Sequence, residues 1–199
     1  MRKSRKPQLT WSGKGEAVID GEDAYWDESI TTYGETESDA PNLLIHGDNV
    51  PALQALEATH AAKIKCVYID PPYNTGAAFE HYDDKQTHGD WLSQMRERLI
   101  RLRRLLRDDG FLCCHIDDSE GPYLKVLLDE VFGREHYLAT LYLRVRYPHK
   151  TLKQDMDFHK EIESIHVYRK SDLATPNKKS YQTDLEKFCY RIEILSPAM

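Results

Sequence analysis

Ile64-Lys65-Cys66-Val67-Tyr68-Ile69-Asp70-Pro71-Pro72-Tyr73 is the stretch whose reading decides the fold. Residues 64–69 are dominated by β-branched and aromatic side chains, the composition of a strand. Two prolines then stop it, because proline fixes φ and has no N–H to give a ladder. The strand therefore ends on a carboxylate, rigid carbonyls and an aromatic ring. Working outward, residues 42–46 (Asn-Leu-Leu-Ile-His), ended by Gly47, predict a buried strand. Leu53 and Leu56 predict a short helix over 50–57. Residues 91–107 carry Leu92, Met95, Leu99, Leu102 and Leu106 at spacings of three and four, one apolar helix stripe, with Asp90 as N-cap and Gly110 as terminator. Residues 111–116 predict a third strand, and Pro122 opens a helix that Gly133 closes. Residues 137–145 and 162–168 predict further strands.

Strand, helix, strand, helix, strand is the alternation of an α/β protein: a mostly parallel sheet flanked by helices. Such sheets bind ligands at the carboxyl ends of their strands. Three polar clusters fall at the predicted ends: His46-Gly47-Asp48-Asn49, Asp70-Pro71-Pro72-Tyr73-Asn74 and His115-Ile116-Asp117-Asp118. Their placement predicts one shared site. In Asp70-Pro71-Pro72-Tyr73, a carboxylate and a rigid backbone carbonyl offer two acceptors beside an aromatic face. That set suits an exocyclic amino group on a planar ring. Holding both N–H groups lets the nitrogen lone pair leave conjugation and attack an electrophilic methyl. A base in a duplex must first leave the stack to reach such a pocket.

The tetrapeptide after a hydrophobic strand resembles the catalytic motif of S-adenosylmethionine-dependent amino methyltransferases acting on DNA. The longer string is Leu9-Thr10-Trp11-Ser12-Gly13-Lys14, then residues 42–49 (NLLIHGDN), then residues 68–76 (YIDPPYNTG), then residues 115–118 (HIDD). It resembles the β-class adenine-N6 methyltransferases, most of all the modification subunits of type III restriction–modification systems. The resemblance covers about residues 9–170. It implies a Rossmann-like fold and S-adenosylmethionine as cofactor. It implies that Asp70 and the carbonyl of Pro71 hold the amine, with Pro72 completing the motif, and that Tyr73 stacks on the flipped base. Asp48 and Asn49 would then contact the cofactor. The implied partners are duplex DNA with an extruded adenine, a second copy of the chain, and a restriction subunit or complementing polypeptide. Cytosine N4 poses the same chemical problem and stays open as the alternative target.

The sequence also departs from that family. The family binds its cofactor through a glycine-rich loop placed after the catalytic motif and the target-recognition region. None of the ten glycines here forms such a pattern. The expectation is an incomplete fold: residues 1–40 as an extension, 41–170 as the catalytic subdomain, and 171–199 as the start of a target-recognition region or a tail. A DNA-binding or assembly fragment lacking cofactor competence is the competing reading.

Other features have ordinary readings. Asp48 reads equally as a helix N-cap and as a cofactor contact. The arginines of 96–107 read as a solvated helix face rather than a DNA groove. Arg144, Arg146, Lys150 and Lys153, interleaved with Tyr147, form the candidate phosphate-binding stretch, set against an ordinary exposed loop. Cys66 and His115 read as packing residues, and no histidine or cysteine spacing suits a metal. The net charge of −6 comes largely from residues 20–39, which hold eight acids and no Lys or Arg, so it does not exclude a nucleic-acid partner. Four cysteines without paired spacing fit a reducing cytoplasm. No apolar run is long enough for a membrane span.

Overall fold

The computed structural model describes residues 8–15, 43–75, 78–79, 82–83, 86–145 and 162–177. The chain runs α1 (Asn49–His60), β1 (Ile64–Ile69), β2 (Ala78–Phe79), β3 (Tyr82–Asp83), α2 (His88–Leu105), β4 (Leu106–Ile116), α3 (Gly121–Phe132), a 3₁₀ turn (Arg134–His136), β5 (Tyr137–Arg144) and β6 (Ile162–Arg169). The main sheet has the order β1-β4-β6-β5, and β2 and β3 form a small antiparallel pair. β1 is parallel to β4, while β6 lies antiparallel to both β4 and β5. Three of the four strands therefore point the same way, as the alternation predicts. Two of the three pairings are nevertheless antiparallel, because β6 enters between β4 and β5 against their direction.

The helices cover one face. Leu112, Cys114 and Ile116 of β4 and Tyr168 of β6 are buried there, against Leu92, Met95 and Leu99 of α2 and Leu124, Leu127 and Leu128 of α3. Each buried Leu, Ile or Met there contributes roughly 1.5–3 kcal/mol by leaving water. The helix stripe read from sequence is the buried stripe, except that Leu106 enters the core as the first residue of β4. The opposite face carries Cys66, Tyr68, Cys113 and Leu141. Tyr68 is 56% exposed and Leu141 51%. Cys66 is exposed too, not packed as expected: strand side chains alternate faces, and it falls on the side that no described helix covers.

Three boundaries differ from the reading. Residues 43–46 form no strand, and Leu43 and Leu44 are 67% and 93% exposed. Among the described residues no strand lies beside them, so an extended backbone there has nothing to pair with. α2 begins earlier, capped by Thr87, whose hydroxyl accepts from the N–H of Asp90. Gly110 does not end the helix. It sits in an irregular stretch where β1 and β4 shift register between Ile64 and Cys66. A Cβ at Gly110 would come within 2.9 Å of the Arg107 carbonyl and 3.1 Å of the Ile64 carbonyl, so only glycine lets the strands close. Residues 8–15, expected to lie in a loosely packed extension, dock on the helices. Trp11 Nε1 donates to Ser93 Oγ at 2.7 Å, and Lys14 pairs with Glu130 at 2.6 Å. No described helix is long and apolar enough to cross a membrane.

Candidate active site at the carboxyl end of β1

β1 ends at Asp70, and the next five residues are fixed from several sides. Pro71 is buried and Pro72 exposed. The indole of Trp91, in the first turns of α2, donates to the Pro72 carbonyl at 2.8 Å. Asn74 adopts φ 55°, a left-handed conformation that asparagine tolerates better than most residues. Its Nδ2 donates to Glu120 Oε1 at 2.8 Å, and its Oδ1 accepts from the N–H of Gln86 at 3.0 Å. Glu120 is buried at the start of α3, with His88 Nδ1 2.8 Å from its Oε2. The turn is thus tied to the starts of both α2 and α3.

A cleft of about 550 Å³ lies between α1, α2 and this turn. Its polar wall is Asp48, Asn49, Asp70 and the two prolines, and Leu53, Ile69 and Met95 form its apolar floor. Asp48 is the helix cap that one of its two readings expected, and it also faces the cleft. Its Oδ1 accepts from Val50 N at 2.8 Å, capping α1, and the residue lines the cleft. Arg98 Nε donates to Asn49 Oδ1 at 2.8 Å, bringing a cation to the same wall. The volume lies in the range of small-molecule sites. Two carboxylates against one guanidinium leave the wall net acidic, and with an amide and an apolar floor it fits a nucleoside that carries a positively charged group.

Tyr73 faces away from that cleft, toward the sheet side that no described helix covers. Its hydroxyl donates to Glu163 Oε2 at 3.1 Å. Glu163 Oε2 also lies 2.8 Å from His115 Nε2. His115 Nδ1 is 2.9 Å from the Tyr68 hydroxyl and 4.0 Å from Asp70 Oδ1. Burial pushes the Tyr73 phenol far above its ordinary pKa, and the Asp70 and Glu163 carboxylates push it further, so it stays protonated and donates. His115 is therefore not a core residue. It lies in a polar cluster on the face opposite the core, because odd-numbered positions of β4 project there.

Five of the six predicted pocket residues, Asp48, Asn49, Asp70, Pro71 and Pro72, line one cleft, while Tyr73 reaches the other side of the turn. Asp117 accepts from the N–H and hydroxyl of Ser119 within its own turn. Of the candidate phosphate-binding residues, Arg144 is exposed at the end of β5, one register position beyond the Leu143–Glu163 pair. Arg146, Lys150 and Lys153 lie outside the described residues. The arginines of α2 are not all solvated: Arg101 is fully buried, 3.3 Å from Glu57 and 3.4 Å from Glu97. Trp91, Glu120 and Glu163 had no sequence signal. Each is an ordinary residue of its helix or strand until the fold brings it to the turn.

A sheet-end cleft beside a rigid turn of acceptors places the chain among α/β proteins that bind ligands at strand carboxyl ends. More particularly, the chain belongs to the DNA methylase family, whose N6_N4_Mtase model matches residues 64–189. It is 42% identical over 107 residues to the probable type III restriction-modification enzyme HindVI Mod subunit of Haemophilus influenzae, covering 54% of this chain and 14% of that one. It is 32% identical over 160 residues to the type II methyltransferase M.KpnI of Klebsiella pneumoniae, covering 74% of this chain and 38% of that one. Among solved structures, the M1.HpyAVI–SAM complex is similar at 15% identity and a TM-score of 0.42, over 69% of this chain and 60% of that one. The chain thus spans well under half the length of these two curated relatives.

Proposed function

We propose that this chain carries the catalytic half-site of a DNA methyltransferase that moves a methyl group from S-adenosylmethionine to the N6 amino group of adenine, within a restriction–modification system. The observation that carries the reading is the turn at residues 70–73, which lines the cleft on one side and carries Tyr73 to the other. Asp48 and Asn49 share a cleft with Asp70 and Pro71 on the helix side, and Tyr73 presents its ring on the sheet side. Asp48 and Asn49 would hold the adenosine end of the cofactor, which supplies an electrophilic methyl when bound. Asp70 and the Pro71 carbonyl would accept the two N–H groups of the target amine and turn its lone pair toward the cleft. Tyr73 would stack on the extruded base. Arg144 and the basic residues after it would grip phosphate as the strand leaves the sheet beside Glu163. DNA as substrate places the protein in the cytoplasm, and residues 41–170 are the catalytic unit.

A second reading is a subunit whose cofactor site another polypeptide completes. One observation favours it: among the described residues no strand pairs with the outer edge of β1, whose last residue, Ile69, lines the cleft. The deciding experiment is calorimetry of S-adenosylmethionine with the purified chain, with and without adenine-containing duplex, followed by methyl incorporation in the wild type and D70A. Saturable micromolar binding, with incorporation that D70A abolishes, is the expected result. Wild-type turnover by D70A refutes the assignment of Asp70. A folded sample that binds no cofactor favours the second reading.

A further inference from the structure

Tyr73 packs its ring against the edge of the core cluster, half-buried, and carries its hydroxyl toward the sheet side. Its backbone is set by Pro72 before it and by the left-handed Asn74 after it. Packing on one side of a phenol ring limits its two side-chain torsions without fixing them. In this structure the free end is held as well: the hydroxyl donates to Glu163 Oε2 at 3.1 Å. Glu163 belongs to β6, far away in sequence, and its side chain is half-buried. A half-buried carboxylate gains from a donor: Glu163 accepts from the Tyr73 hydroxyl, and the His115 ring sits beside it at ion-pair distance, 2.8 Å, without hydrogen-bond geometry. The His115 ring also lies against Tyr73, centroids 6.1 Å apart at 60°, and meets the Tyr68 hydroxyl with its other nitrogen. Tyr68, His115, Glu163 and Tyr73 thus form a continuous chain across three strands, ending on the ring that faces the sheet side.

We propose that Glu163, braced by His115, is the positioning residue that fixes the Tyr73 ring ready for an extruded base. The inference rests on the methyltransferase reading for what the ring does, but not for how the ring is held. A preset ring spares the ordering that binding would otherwise require, the general gain from preorganisation. It also sets the ring plane relative to Asp70, so that a base stacked on Tyr73 presents its amine to the acceptors. His115 is an arm of this device: it touches Glu163 and Tyr68 and comes within 4.0 Å of Asp70.

The test places a single 3-fluorotyrosine at position 73 of the full chain and follows its fluorine resonance in the wild type, E163Q and E163M. Glutamine keeps an acceptor oxygen for the phenol. Methionine keeps the length and removes the acceptor, and circular dichroism checks that both variants fold. In E163Q the resonance is expected to stay near its wild-type position. In E163M it is expected to shift from its wild-type position and to narrow, as the released ring gains motion. Any other pattern among folded variants overturns the proposal, including no shift in E163M or equal shifts in both. Failure of the methyltransferase reading would show separately, as absence of methyl transfer by the wild type with the fluorine pattern intact.

Discussion

Replacing Trp91 by phenylalanine tests how the turn is anchored. Trp91 is 2% exposed in the core cluster and donates its indole N–H to the Pro72 carbonyl at 2.8 Å. W91F keeps an aromatic ring on α2 but removes the donor. It also leaves roughly 40 Å³ unfilled, which at ~24 cal/mol per Å³ costs about 1 kcal/mol. Losing the hydrogen bond adds about 1 kcal/mol rather than the full burial penalty, because Pro72 is exposed and water can reach its carbonyl. The sum is about 2 kcal/mol, or a Tm lower by roughly 4–8 °C for a chain of this size. Urea unfolding followed by far-ultraviolet circular dichroism measures it without relying on the missing tryptophan. A loss below about 0.5 kcal/mol, the scatter of surface substitutions, would refute the anchoring role.

Y73A is expected to weaken binding to duplex containing a mismatched or extruded adenine by ~1–3 kcal/mol, the scale of stacking one base on an aromatic ring; unchanged affinity in a fluorescence titration would remove Tyr73 from the base pocket. R101A takes the buried partner from Glu57 and Glu97 and is expected to cost about 3 kcal/mol by urea unfolding, with R101M costing less because its chain refills the space, although the same two carboxylates lose the cation. His166 is held below its ordinary pKa by burial, with Lys125 adding to the shift while the Gly121 backbone and Asp129 oppose it. Its folded form therefore resists protonation while the unfolded chain takes a proton near pH 6.5, so stability present above that pH is lost as pH falls toward the folded pKa. H166Q is expected to flatten that step in the pH dependence of Tm, and an identical profile would show that another group causes it.

Local patterns survived the move from sequence to structure, and pairings did not. β1 occupies residues 64–69 as its composition predicts, and the stripe of α2 is the buried one, since alternation and 3.6-residue periodicity are properties of the chain itself. Gly133 closes α3 at φ 94°, the positive-φ conformation that favours glycine. Residues 42–46 have the composition of a strand, yet a strand exists only with a partner, and none of the described residues supplies one. Gly110 reads as a helix end because a helix precedes it, whereas its need is a close approach to Ile64 that no local window contains.

The site divides along the same line. The sequence by itself determined the chemistry at residues 70–73, because two prolines after a strand leave a carboxylate and rigid carbonyls at a sheet end whatever surrounds them. It also placed Asp48 and Asn49 at the start of a helix. Only the tertiary structure decided that those residues share a cleft with Asp70, that Trp91 and Glu120 pin the turn, and that Glu163 accepts from the Tyr73 hydroxyl. The antiparallel entry of β6 between β4 and β5 sets that last contact by pairing Ile165 with His115 and Leu143 with Glu163. Such contacts join residues up to 90 positions apart. Strand register fixes them, and register comes from the packing of the whole sheet rather than from any segment within it.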